Sequence, residues 1–201
     1  MRFLTTLAIL GLVPGWVLAT PSGACEASAP RATAHGAVSR IECGNAEVGG
    51  KRATILFDGV PVLSSKELYK EDSDDSLGYF VYSREADPQT ACPDRLFLID
   101  ASKRPVKVTA FGVQGACNQF ESARWGEKAS VITLKKGVHF VFEAGTVKAP
   151  KAGSALWKSI EPPRTGNGLA QDAAMPFVQE VAPPSRVTLR EFDAGRLGSP
   201  L

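Results

Sequence analysis

The chain has 201 residues, with 23 Lys and Arg against 21 Asp and Glu and a formal net charge of +2. That balance offers no basic field for nucleic acid and no acidic self-repulsion to keep the chain unfolded, which argues against polyanion binding and global disorder. The length is enough for one ordinary domain with its own apolar core and an additional segment.

Residues 1–19 read as a cleaved secretory signal: a positive start at Met1-Arg2, an apolar run from Phe3 to Val13, a break at Pro14-Gly15, and Val17-Leu18-Ala19 before the cut. The run is too short for a spanning helix of ~20 residues, so no transmembrane span is expected after cleavage. Cys25, Cys43, Cys92 and Cys117 all follow the cut and would mature in an oxidising compartment, the periplasm or the medium. Lipid anchoring at Cys25 is an alternative, since Ser22-Gly23-Ala24 are small. Against it, Ser22 stands where such sites carry leucine, and a lipidated Cys25 would leave three thiols.

From residue 20 to residue 147 the chain reads as a disulfide-stapled β domain. Ala53, Ile55 and Phe57 alternate with more polar positions, and Asp58-Gly59 then turns the chain into Val60-Pro61-Val62-Leu63. Pro61 lacks an N–H, which places that second strand at an edge. Ser64 with Glu67 has the spacing of a capping box and predicts one short helix through Tyr69. Leu77 to Tyr82 is aromatic and β-branched, as strands are. Arg95 to Asp100 is apolar on both faces and pairs with Val106, Val108 and Ala110 across a turn at Ser102–Pro105, making a central hairpin. Ile132 and Leu134 alternate with Thr133 and Lys135, and Lys135-Lys136-Gly137 turns into Val138, Phe140 and Phe142.

About seven or eight short strands joined by tight turns predict a mainly β fold, an antiparallel sandwich or partial barrel, with a propeller-like or meander arrangement as the alternative. Residues 148–201 hold Pro150, Pro162, Pro163, Pro176, Pro183, Pro184 and Pro200, half of the chain's 14 prolines, and read as a mostly disordered tail. Leu156-Trp157 and Arg186–Phe192 are apolar islands in it that could dock on the domain or on a partner.

Cys92 and Cys117 flank the central hairpin, so the two should meet, leaving Cys25 to pair with Cys43. No C-x-x-C pair occurs and neither His35 nor His139 lies near a cysteine, so no metal site or cofactor is expected. The cluster Glu71–Ser76 has alternate oxygens like a calcium loop, but Leu77 replaces the turn glycine and Ser83 the bidentate glutamate, so it reads as a solvated loop. No G-x-S-x-G elbow or S-x-x-K pair is present, and Gly49-Gly50-Lys51-Arg52 lacks the first glycine of a phosphate loop. Carboxylates for glycosidic chemistry could be drawn from Glu47, Asp58, Asp87, Asp94, Asp100, Glu121 and Glu143, a choice that the sequence cannot narrow.

The best binding surface combines Trp125 with Tyr79, Tyr82, Arg84 and Arg124. The two tyrosines should point to opposite sheet faces. These features suggest a non-enzymatic exported protein that binds a protein or other envelope macromolecule, in an adaptor, inhibitor or immunity role. A secreted hydrolase using carboxylates that converge in three dimensions, and a structural envelope component, are the alternatives.

Overall fold

The computed structural model describes residues 25–45, 50–87, 92–149 and 175–184. The signal segment, Glu47, both apolar islands and most of the tail lie outside the described residues.

Three antiparallel sheets stack face to face. The first contains β1 (Cys25–Ala27), β2 (Arg31–Thr33), β3 (Gly36–Asn45), β4 (Gly50–Phe57) and β5 (Val60–Lys66). The middle sheet runs β14-β9-β8-β7-β6, from β6 (Leu68–Asp74), β7 (Tyr79–Asp87), β8 (Cys92–Asp100), β9 (Lys107–Val113) and β14 (Pro176–Glu180). The third is the meander β10 (Phe120–Arg124), β11 (Ala129–Leu134), β12 (Val138–Glu143) and β13 (Thr146–Lys148). The chain is thus mainly β and antiparallel, a three-layer sandwich of successive meanders.

Period-two alternation along the middle strands creates the layers. Phe80, Tyr82, Phe97, Ile99, Val108 and Ala110 face one way and pack on Val38, Ala53, Ile55, Phe57, Val62 and Leu63 of the first sheet. Their neighbours Val81, Leu96, Leu98, Phe111 and Val113 face the other way, onto Ile132, Leu134, Val138, Phe140, Phe142 and Val147 of the third. The run Arg95–Asp100 is apolar on both faces because both of its faces are covered.

The turns follow the residues. Asp58 and Gly59 both have positive φ, 48° and 77°, as a two-residue hairpin turn demands, and Ala144-Gly145 repeats this between β12 and β13. β5 is the edge strand that Pro61 requires. The helix expected from Ser64 and Glu67 is absent. Ser64 Oγ instead meets Thr54 Oγ1 at 3.0 Å across the sheet, and Glu67, with φ 48°, is the corner between β5 and β6. A capping-box spacing sets only a local preference, and the cross-strand ladder of β5 with β4 overrides it. The Glu71–Ser76 segment is also strand and hairpin turn rather than open loop: Asp74 Oδ1 accepts from the N–H groups of Ser76 and Leu77 at 2.9 and 3.0 Å.

Both disulfides pair as the sequence predicts, Cys25–Cys43 and Cys92–Cys117. The first joins directly opposed residues of β1 and β3, which commits the Cys25 sulfur that a lipid would need. Two disulfides place the folded protein in an oxidising environment. Directly after the second disulfide, Asn118 is a buried hub. Its Oδ1 accepts from Val113 N–H at 2.7 Å, and its amide donates to the carbonyls of Asp94, Val113 and Ala116 at 2.6, 3.1 and 3.2 Å. Gly112 has to be glycine beside it, because a Cβ there would sit 2.8 Å from Asn118 Cγ.

Removing this amide would leave buried backbone groups unsatisfied. Asn118→Ala should therefore lower the unfolding free energy by about 3 kcal/mol in urea titration of the oxidised protein, at ~1 to 3 kcal/mol per stranded group. A loss under about 1 kcal/mol would show that Asn118 is not the hub described here.

Candidate functional site

At one end of the stack, the middle and third sheets part to leave a cleft of about 330 Å³. It forms where β7 begins, β8 ends and β12 turns into β13, so three strand ends from two sheets and two loops contribute. Tyr79 and Asp100, directly opposed residues of β7 and β8, make one wall, and Phe142, Glu143, Ala144 and Gly145 make another. Ser102 and Lys103 from the β8–β9 turn and Gly126, Glu127 and Lys128 from the β10–β11 loop complete the rim.

The floor is aromatic. The Tyr79 ring meets Phe142 edge to face at 4.9 Å between centroids and Trp125 at 5.8 Å. Such pairs contribute about 0.5 to 1.5 kcal/mol beyond area burial and hold the rings in place. The rim is polar and of mixed sign, with Lys103, Glu127, Lys128 and Glu143 exposed.

Both carboxylates that reach the cleft from strand ends are already engaged. Asp100, 6% exposed, accepts from the Ser102 N–H at 3.0 Å and the Ser102 hydroxyl at 2.5 Å, which caps the β8–β9 turn. Glu143 pairs with Lys148, whose hydrogen bond and charge hold its carboxyl below the ordinary glutamate range. A general acid would need the opposite shift.

The structure brings two of the sequence-derived binding residues together and separates the others. Tyr79 lines the cleft, and Trp125 packs against its ring without lining the cleft itself. Tyr82 lies on the opposite face of β7, as its parity requires, but is 5% exposed in the core beneath the first sheet and presents no ring surface to a partner. Burial there raises its hydroxyl pKa. Arg124 is exposed on β10. Arg84 stands directly opposite Arg95, and Asp94 bridges the two, with Arg84 Nε at 3.0 Å and Arg95 Nε at 3.2 Å. Among the histidines, His139 is exposed and its Nδ1 lies 3.0 Å from Thr133 Oγ1, while His35 Nε2 lies 3.1 Å from the Ser76 carbonyl. Among the described residues no group of three or more His, Cys, Asp or Glu side chains is placed to hold a metal ion.

Sequence reasoning missed the rim. Lys103, Glu127 and Lys128 sit in loops without periodicity, and Asp100 and Glu143 were indistinguishable from the other carboxylates until the fold placed them on one cleft. Compared with known proteins, the chain matches no family model, no curated protein and no solved structure.

The Arg84–Asp94–Arg95 bridge yields a pH prediction. Burial alone would raise the Asp94 carboxyl, but hydrogen bonding and charge from Arg84, then Arg95, outweigh it and hold it low. A depressed folded pKa contributes stability that is present above the unfolded value near ~4 and lost as pH falls through the folded one. Asp94→Asn should cost about 1 kcal/mol at neutral pH and should flatten the decline in stability below about pH 4. Urea titrations across that window check this, and an unchanged acid limb would contradict it.

Proposed function

We propose that this is an exported protein, periplasmic or secreted, that binds another macromolecule without transforming it, in the manner of an adaptor, inhibitor or immunity protein. The partner is a protein or other envelope component. One observation carries this reading: the cleft combines a fixed aromatic floor with an exposed rim of both signs, while its strand-end carboxylates are committed to internal partners. Rim charges of both signs select a complementary partner surface and suppress wrong ones, and a tyrosine held in place by Phe142 and Trp125 supplies contact area at low entropic cost. Two disulfides agree with a place outside the reducing cytoplasm.

A secreted hydrolase is the second reading, favoured by the shared position of Asp100 and Glu143 on one cleft. It would require their present partners to be displaced when substrate binds. Asp100→Asn would then abolish turnover, whereas the binding reading gives it no activity to lose.

The test is copurification from the native compartment after mild crosslinking, with mass spectrometry of what remains bound. The binding reading predicts one near-stoichiometric partner for the wild type and recovery lowered roughly tenfold for Glu127→Ala with Lys128→Ala, as ~1.4 kcal/mol at the rim would give. A solitary protein, or one that turns over peptide, ester or glycan substrates, would overturn it.

A further inference from the structure

Residues 175–181 return to the domain as a strand. β14 adds to the outer edge of β9, antiparallel, with Phe177 opposite Gly112 and Gln179 opposite Ala110. Two backbone bonds fix the phase of the ladder: Gln114 N–H to the Met175 carbonyl and Val181 N–H to the Val108 carbonyl, both 2.9 Å. Antiparallel pairs alternate between bonded and non-bonded, so Phe177 and Gln179 also occupy bonded positions and direct their N–H groups at β9. Pro176, Val178 and Glu180 occupy the others, and the N–H that Pro176 lacks is one the ladder does not use.

The attachment is mainly through the main chain. Val178, Gln179 and Glu180 are exposed. Phe177 is the principal side-chain anchor, partly buried against the core between the first two sheets, with the Arg95 guanidinium 5.9 Å from its ring centre. Val181 packs on the same core. This is strand addition, in which backbone bonds give affinity and one or two pockets give specificity. The segment is joined to β13 by residues 149–174, a stretch that covalent geometry allows to reach up to ~90 Å when extended.

We infer that copies of this chain exchange β14, each laying residues 175–181 on the β9 edge of the other. A second copy presents the same edge and the same strand, so every contact made within one chain is reproduced between two, and closure is symmetric. Because the contacts are equivalent, concentration sets the balance between the intrachain and exchanged forms.

The experiment mixes equal amounts of nitrogen-14 and nitrogen-15 full-length, oxidised protein carrying a photo-crosslinking phenylalanine analogue in place of Val178. After incubation over a range of concentrations and illumination, linked peptides spanning β14 and β9 are analysed by mass spectrometry. Exchange predicts mixed-isotope linkages that rise with concentration towards about half of the total, the random limit for a symmetric pair. Gln179→Pro, which deletes a ladder N–H, should abolish them, and Glu180→Pro, which deletes an outward one, should leave them. Linkages that stay single-isotope at every concentration would overturn the inference. So would mixed linkages that survive Gln179→Pro while the variant keeps both disulfides and its cooperative unfolding.

Discussion

The structure depends on the middle sheet being buried on both sides. In β8, Leu96 and Leu98 face the third sheet while Phe97 and Ile99 face the first, and all four are essentially excluded from water. Burying each such side chain contributes about 1.5 to 3 kcal/mol. Among the described residues neither outer sheet has a second apolar layer of its own, so each depends on the middle sheet for its core. A one-residue slip of β8 would exchange its two faces and set Leu against the surface shaped for Phe, which makes the register strongly specified.

The remaining interactions hold the layers in that register. Arg104, from the β8–β9 turn, pairs with Asp58 in the β4–β5 turn, donates to the His35 carbonyl at 3.0 Å, and lies 4.7 Å from the Phe57 ring centre. It thereby ties the middle sheet to the first at one end. At the other end Asn118 and Cys92–Cys117 bind the connection leading to the third sheet back onto β8 and β9. A cross-link closing a loop of that size contributes ~3 kcal/mol on the chain-entropy model.

What could be read from the sequence followed from how each residue is used. The Arg95–Asp100 run, the Asp58-Gly59 turn and the edge position of Pro61 were legible because apolar pattern and backbone preference agree there. The Cys92–Cys117 pairing was legible because hairpin geometry brings those two cysteines together, and Cys25–Cys43 followed as the remaining pair. The false helix at Ser64–Tyr69 arose where a local side-chain spacing competes with a sheet ladder that the local sequence does not reveal. β14 was hidden for a different reason: an edge strand held by backbone bonds, with most of its side chains in solvent, leaves little periodicity to detect. The β1–β2 arm and β13 are only three residues each, too short for a pattern. The cleft was the least legible feature, since its chemistry comes from four separate segments.

These features connect fold to function through geometry. Two-sided burial fixes the ends of β7, β8 and β12, and those ends hold the aromatic floor and the charged rim of the cleft. The same sheet leaves the β9 edge to receive a strand. Native-state hydrogen exchange on the oxidised protein tests the central claim most directly, because it measures the opening free energy strand by strand. The account predicts that paired amides of β7 and β8 are the most protected in the molecule and exchange only through global unfolding. Maximal protection in the first or third sheet, with β8 exchanging through local opening, would contradict it.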